Sequence, residues 1–475
     1  MQSKLGKNLF RVAFSRMVSL LSSIAVGLLL PKIFSISDYG YFKVFTLYAV
    51  YTTLLHFGFV DGLLLKLAGK DYDELNREKM RVYTRFFIVF ELIISFVIVL
   101  IGAVFVKGEY LFIVIMLALN MVFVNITTYY QFVSQATQRF GEYSAKSLIV
   151  SLAKLLFVGG LFTVYFFDID ISYRVYLIGL NILDLSMMLW YVVIYKDITF
   201  GNSLSIVTLK KDIFDIFKTG IVLTVAYQVS HFVLALDRQF VNILFSTEIF
   251  AVYSFAYNIV SMISTMISSL SVVLLPMLKN RSKKYVVRYY KKSITIVCVI
   301  TAGTLLCYFP LVPFIEWFLP NYLYSLKYIA VVLPTVLFTS GITVVMFTVE
   351  KVFDTSFAFF KNSCLVFVLG FVTNTLAYIL FKTPQAISYA SLIVMASWFL
   401  IEGITLGRRV KAKVYREFIY LTVISLGFLA VTGLIDNPVL GAFVFGVAFV
   451  VLTLIFFPIF KVIHLKNNQK AHHDQ

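Results

Sequence analysis

Cysteine is almost absent from this chain of 475 residues: only Cys298, Cys307 and Cys364 occur, all in apolar stretches and with no paired spacing. Neither a disulfide framework nor a zinc site has its residues here. Charge is scarce as well. Asp, Glu, Lys and Arg make up 14% of the chain and hydrophobic residues 60%, whereas a soluble domain carries about 25% charged residues. That little charge cannot cover so much apolar surface in water. A glycine-rich phosphate loop ending in Lys is missing, so nothing points to ATP. The short alternating segments of a β-barrel, near ten residues each, are missing too.

What the chain does have is long apolar runs, such as 92–106 and 439–455, and a mean hydropathy of +0.91. A hydrocarbon core about 30 Å thick takes roughly 20 apolar residues per helix, and helices satisfy their own backbone groups within lipid. The runs predict about fourteen spans, centred on 12–33, 42–65, 86–106, 111–133, 147–167, 174–195, 219–244, 249–275, 294–318, 324–348, 357–381, 385–406, 417–435 and 439–460. The fold class is therefore all-α integral membrane. The first run has basic residues before it, lacks a small-residue cleavage site and closes at Pro31-Lys32. It reads as a first span rather than a removed signal.

The net charge of +17 invites a nucleic-acid reading, but the basic residues sit in short clusters between apolar runs. With the N-terminus in the cytoplasm, most of the 41 Lys and Arg fall in inside segments. Examples are Lys66 to Arg85, Lys279 to Lys292 and Arg408 to Arg416. Outside segments hold only Lys32, Lys43, Lys107, Arg174, Lys327 and Lys382. This asymmetry predicts both termini inside a bacterial cytoplasmic membrane and no nucleic-acid partner. The outside loops are short, so the function has to reside among the helices.

Two turns look alike. Residues 34–43 read Phe-Ser-Ile-Ser-Asp-Tyr-Gly-Tyr-Phe-Lys, and residues 245–255 read Phe-Ser-Thr-Glu-Ile-Phe-Ala-Val-Tyr-Ser-Phe. They lie six spans apart, as a duplicated six-helix half would place them, and internal repeats are common in secondary transporters.

Ionisable groups within spans cost about 2.5–3.5 kcal/mol at a helix centre and usually face a cavity or a partner. Here they are Arg11, Arg16, His56, Asp61, Glu91, Lys154, Asp184, His231, Asp237, Arg238 and Glu402. Arg16, Lys154 and Arg238 are candidate cations for an anionic head group, Arg offering a bidentate fork to phosphate. The plain reading is snorkelling or helix packing. Asp61, Glu91 and Asp237 are candidates for ion coupling or gating, with H+ or Na+ as the coupled ion and no other cofactor. Asp237 and Arg238, adjacent on a helix, project about 100° apart, so each needs a partner elsewhere. His56 and Asp61, five residues apart, do not share a helical face. Glu402 is expected to pair with Arg408 or Arg409. Asp168-Ile169-Asp170 has the form of a glycosyltransferase acidic pair, but it sits in a short turn with no domain around it. His472-His473 reads as a solvated end.

The segment from the first to the eighth span resembles the polysaccharide-unit flippases of the multidrug/oligosaccharidyl-lipid/polysaccharide exporter superfamily. Leu28-Leu29-Leu30-Pro31-Lys32-Ile33-Phe34 with Asp38-Tyr39-Gly40-Tyr41-Phe42 is similar to the family's first outer turn. Asp237-Arg238 with Phe245-Ser246, Glu248 and Ala251-Val252-Tyr253-Ser254 is similar to that turn in the second half. The resemblance implies two six-helix lobes around a central cavity, at 1–200 and 201–410, with two further helices and a cytoplasmic tail at 411–475. It implies a non-enzymatic flippase carrying an isoprenoid-diphosphate-linked oligosaccharide from the inner to the outer leaflet. Its partners would be that lipid-linked oligosaccharide, membrane lipids, and polymerase and glycosyltransferases of the same pathway. The family's cavity cations map onto Arg16 and Arg238; Lys154 is added from its burial alone. The rivals are a cation-coupled multidrug exporter of the same superfamily and a membrane polysaccharide polymerase or ligase.

Overall fold

The computed structural model describes residues 2–279, 282–353 and 356–458, and among these every regular element is helical. The helices are α1 (Gln2–Ile33), α2 (Ile36–Thr52), α3 (Phe59–Leu67), α4 (Arg77–Phe105), α5 (Glu109–Ala136), α6 (Phe140–Tyr165), α7 (Tyr173–Ile194), α8 (Lys196–Thr199), α9 (Lys210–Leu244) and α10 (Thr247–Lys279). They continue with α11 (Lys283–Thr304), α12 (Tyr308–Phe318), α13 (Ser325–Val332), α14 (Thr335–Ser340), a π-helical segment Gly341–Met346, α15 (Phe347–Val352), α16 (Ser356–Phe381), α17 (Pro384–Val410), α18 (Tyr415–Leu434) and α19 (Pro438–Phe456).

Eleven of these stretches are long and apolar enough to cross a membrane, and two bent pairs bring the number to 13. The pairs are Ile36–His56 with Phe59–Leu67, and Lys210–Ala226 with Gln228–Leu244. Met17–Ile33, within α1, is a shorter apolar helix. Each predicted span thus has a helical counterpart in order. Large apolar side chains face outward, Phe96 at 68%, Val104 at 67% and Phe105 at 80% exposure on α4, as expected where lipid is the solvent. The chain is a multi-pass membrane protein.

Two compact units emerge, Met1–Ser254 and Phe255–Gln475. In the first, the helices pack through aromatic rings and small residues. Phe59 stacks on Phe87 at 5.2 Å and Phe87 on Tyr129 at 5.4 Å, and Tyr130 stacks on Tyr195 at 5.6 Å. Lipid supplies no hydrophobic drive for such contacts, so dispersion and interhelical hydrogen bonds hold them. Serines join α1 to α6: Ser19 bonds Ser151 at 2.7 Å, and Ser22 donates to the Ser151 carbonyl at 2.8 Å. Buried hydroxyls link further helices, Thr84 with Tyr129 and Tyr130 with Thr199, both at 2.8 Å.

Each end of this unit is latched by carboxylates. At one end Asp38 caps α2 with Ser35 and accepts from Ser172 at 3.2 Å and the Tyr173 amide at 3.1 Å. Glu109 there holds Arg174 and Tyr173. At the other end Asp197 takes Arg77 at 3.0 Å and Tyr72 at 2.8 Å, and Asp212 takes Lys66, Lys79 and Tyr83. Burial and the Asp197 carboxylate raise the Tyr72 phenol above its ordinary pKa, so Tyr72 remains a donor. The stretch 197–202 is tied to α4 by Arg81 and Arg85, which donate to the carbonyls of Asp197, Gly201 and Asn202.

In the second unit, residues 325–352 form one broken span through the interior. Its π-helical segment abuts Phe399 of α17, which lies 2.5 Å from where a Cβ on Gly341 would stand. Glu402 does not pair with Arg408 or Arg409 as expected. It is fully buried and accepts from Asn362 at 2.9 Å, while Arg409 reaches Glu350 at 3.5 Å. Residue 409 lies two turns beyond 402, and Asn362 on α16 crosses at the level of Glu402 itself.

The breaks in α2–α3 and in α9 are the feature that places the polar groups. Phe57 (φ 48°) and Gly58 (φ 83°) turn the chain through the left-handed region, and α3 then crosses α9 at backbone distance. A Cβ on Gly220 would meet the Gly58 carbonyl oxygen at 1.8 Å. Gly220→Ala is therefore expected to lose about 1–3 kcal/mol of stability through overpacking, read as a lower thermal midpoint in detergent. Gly427→Ala, where nothing lies within 4 Å of the added methyl, should leave the midpoint in place.

Candidate functional site

The break in the second span overturns one reading of helical periodicity. His56 and Asp61 would lie on different faces of a continuous helix. The turn at 57–58 reverses that and brings His56 Nε2 to 3.9 Å from Asp61 Oδ2. His56 Nδ1 accepts the Gly58 amide at 3.0 Å, which places the neutral ring's proton on Nε2, facing Asp61. Asp61 also accepts from Thr224 Oγ1 of α9. Lys66, near it in sequence, instead reaches Asp212 at 3.3 Å.

Carbonyls beside the break accept from side chains of neighbouring helices. Gln228 of α9 donates to the Val50 carbonyl at 2.7 Å, and Asn125 of α5 lies 3.4 Å from that of Thr52. Asn125 also donates to Glu91 Oε2 at 3.0 Å. Glu91 is fully buried, and its Oε1 has no hydrogen-bond partner among the described residues. A polar file thus runs from Glu91 through Asn125 to the backbone of the broken span, with His56, Asp61 and Thr224 beyond it. Discontinuous spans with exposed carbonyls and acids are suited to small cations or protons. No group of three metal-ligating side chains occurs among the described residues.

Asp237 and Arg238 lie farther along α9. Asp237 is buried and accepts from Tyr253 Oη at 2.9 Å and from the Arg238 amide at 2.8 Å. Arg238 is half-buried and donates to the Leu234 carbonyl at 3.2 Å. Lys43 is half-buried on α2, with its ammonium over the rings of Tyr39 at 5.0 Å and Phe42 at 5.2 Å. The sequence reading left Lys43 among the outside-loop residues, because a span boundary there is uncertain by a few residues. The positive charge at position 43, two turns into the repeated Phe-Ser turn, was the available signal.

Lys154 is half-buried on α6, the helix that also carries Lys146. Asp184 of α7 accepts from Asn120 at 2.8 Å. The side chains of Arg11 and Arg16 lie outside the described residues, as do His472 and His473. Asp168 and Asp170 are exposed in a turn. The first unit therefore brings Asp237 together with Tyr253, and Asp61 with His56 and Thr224. It keeps Lys154 with Lys146 on α6.

The helical fold is similar to those of several solved membrane transporters. The chain is similar in structure to the lipid II flippase MurJ in an inward closed conformation, with a TM-score of 0.68, 14% identity, and coverage of 95% of this chain and 98% of that one. A mutant of the Vibrio cholerae MATE transporter VcmN matches with a TM-score of 0.53 and 13% identity over 86% of this chain and 98% of that one. A MOP superfamily transporter from Pyrococcus furiosus, described as having a binding pocket of reverse polarity, matches at 0.51 and 10% identity over 85% and 96%. No protein-family model and no curated protein matches the chain. At these identities the likeness establishes the fold and leaves the cargo to the residues.

Asn125→Leu is expected to strand the buried Glu91 carboxyl and cost about 1–3 kcal/mol, since a lost partner exposes the full desolvation penalty. The double replacement Glu91→Leu with Asn125→Leu should recover most of it. Thermal unfolding of the two variants in detergent makes the comparison.

Proposed function

We propose that the chain is a flippase that moves an isoprenoid-diphosphate-linked oligosaccharide unit from the inner to the outer leaflet, in the service of a cell-surface polysaccharide. The observation that carries this reading is that two half-buried cations, Lys43 of α2 and Arg238 of α9, lie within membrane helices that Tyr48 and Gln239 bond to each other at 2.8 Å. Like charges placed together in low dielectric are stabilised by an anion between them. A diphosphate carries enough charge to serve both, and its desolvation is what blocks unaided passage through lipid. Lys154 and Lys146 add positive charge on α6.

The polar file at the break supplies acids for coupling. Asp61, facing His56, and Glu91 would bind H+ or Na+, and Asp237, held by Tyr253, would gate. The membrane potential contributes about 2.3 kcal/mol per charge per 100 mV. Transport then proceeds by alternating access, one lobe (1–200) rocking against the other (201–410), with 411–475 as the appended pair and tail. The distribution of Lys and Arg supports a bacterial cytoplasmic membrane with both termini inside. Polymerase and glycosyltransferases of the same pathway would be the working partners. The fold likeness to a MATE transporter keeps a multidrug exporter as the second reading.

The test is made in cells lacking the gene, by assigning lipid-linked sugars to a leaflet. Complete repeat units should accumulate on the cytoplasmic face. The wild-type chain should clear them, and properly inserted Arg238→Ala and Lys43→Ala should not. Normal translocation with failed polymerisation would mean an enzyme and return attention to Asp168 and Asp170. Normal polysaccharide with lost drug resistance would mean an exporter.

A further inference from the structure

A cavity of about 380 Å³ opens in the second unit, where α17 ends and the chain turns into α18. Two glycines in its wall let the turn 411–414 fold back on α17. A Cβ on Gly407 would stand 2.3 Å from the Ala412 carbonyl oxygen, and one on Gly403 would stand 2.4 Å from Val414 Cγ2. The same wall carries Arg408, Lys411 and Lys413, all exposed, and no acid. Other cations nearby are already paired: Arg409 reaches Glu350 at 3.5 Å and Arg416 reaches Glu417 at 3.2 Å. Arg408, Lys411 and Lys413 have no carboxylate within 4 Å among the described residues. The carbonyls at the end of α17 offset about half a unit charge, so three cations leave the cavity positive. Lys411 stands there in a left-handed conformation (φ 49°), which a glycine adopts without steric cost. A stripe of apolar surface begins at the same place. Tyr415 lines the cavity, and Ile419, Val423 and Leu426 follow it, all exposed. Steps of four, four and three residues put them on one face of α18.

We propose that this cavity binds the phosphate of an anionic membrane phospholipid whose acyl chain lies along the Tyr415–Leu426 face of α18. The inference does not depend on what the chain transports. Both α17 and α18 are long and apolar enough to cross a membrane, so the cavity between their joined ends stands where head groups lie. Basic pockets at the cytoplasmic ends of such helices suit anionic head groups, and the distribution of Lys and Arg favours that side for this end. A free phosphate would use the three cations alone. A phospholipid uses the cations and the apolar stripe beside them. Acyl chains gain nothing by leaving a bilayer for the stripe, because lipid is as apolar as the helix. Selection therefore comes from the head, and the choline of a zwitterionic lipid opposes the cations that the phosphate needs.

The experiment uses the full-length chain in mixed micelles and a phosphatidylglycerol with a photoreactive diazirine on its acyl chain. Crosslinks are expected within 415–426. The affinity read from that labelling should fall about fivefold with each of Arg408→Gln, Lys411→Gly and Lys413→Gln, the equivalent of about 1 kcal/mol for each cation near a lipid surface. Lys411→Gly removes a charge and suits the left-handed turn, so its thermal midpoint should not fall. It carries the test alone if the other two variants are not monodisperse. A phosphatidylcholine with the same diazirine should label the wild-type chain no better than phosphatidylglycerol labels the triple variant. Equal labelling by both lipids, insensitive to the three cations, would overturn the inference by showing only bulk lipid on α18. Inorganic phosphate bound by the wild-type chain and lost in the triple variant, with phosphatidylglycerol labelling unchanged, would overturn it in favour of a site for the free anion.

Discussion

The contact of α3 with α9 through Gly58, Gly62 and Gly220 is the constraint on which the first unit depends. A Cβ on Gly62 would meet the Ile216 carbonyl oxygen at 2.0 Å, and one on Gly220 the Gly58 carbonyl oxygen at 1.8 Å. Only hydrogen fits between these backbones. The close approach lets dispersion act between helices that have no hydrophobic reason to associate in lipid. It also requires the second span to break, because the turn at Phe57 and Gly58 sets α3 against α9. From that break follow the meeting of His56 with Asp61, the reach of Thr224 to the same carboxylate, and the demand of nearby carbonyls for Gln228 and Asn125.

Acidic residues do two different jobs in this unit. Asp38, Glu109, Asp197 and Asp212 sit at the ends of the helix bundle, where each binds several donors from different hairpins. Such multidentate latches hold more than isolated surface pairs, because one carboxylate orders several loops at once. Glu91, Asp61 and Asp237 lie within spans, each with neutral donors from neighbouring helices. A carboxyl held by neutral donors can change protonation or exchange a cation without leaving a stranded charge. A carboxylate locked to Arg or Lys cannot. The division places rigidity at the ends and chargeable groups in the interior.

The spans were legible in the sequence because lipid imposes one simple rule of length and apolarity. The likeness of the two turns was legible because Ser35 and Ser246 each precede an acid and stand at a helix start: Ser35 accepts the Asp38 amide, and Ser246 lies 3.4 Å from that of Ile249. The site was legible only as a set of residues out of place in lipid. Periodicity separated His56 from Asp61 because it assumes a continuous helix, and no window of hydropathy marks a turn at Phe57-Gly58. Glu402 was matched to the nearest arginines in sequence, but its partner Asn362 lies on another helix. Lys43 was missed for the opposite reason: a cation near a span's end looks like a topology signal wherever its side chain points.

Lys43 and Arg238 carry a consequence beyond their positions. On the proposed reading an anion is held by cations from two helices, Lys43 of α2 and Arg238 of α9, so it has a different free energy in arrangements that bring α2 and α9 together and in those that part them. Differential affinity of this kind is the only means by which a ligand shifts a conformational equilibrium. The polar file at the break lies along the same two helices, through Asp61 and Thr224 on one side and Gln228 and Val50 on the other. A proton or cation arriving there acts on the same pair of elements as an anion at Lys43 and Arg238. On the proposed reading, the cargo and the coupling ion need no long pathway between them: α2–α3 and α9 are the shared element that both bias.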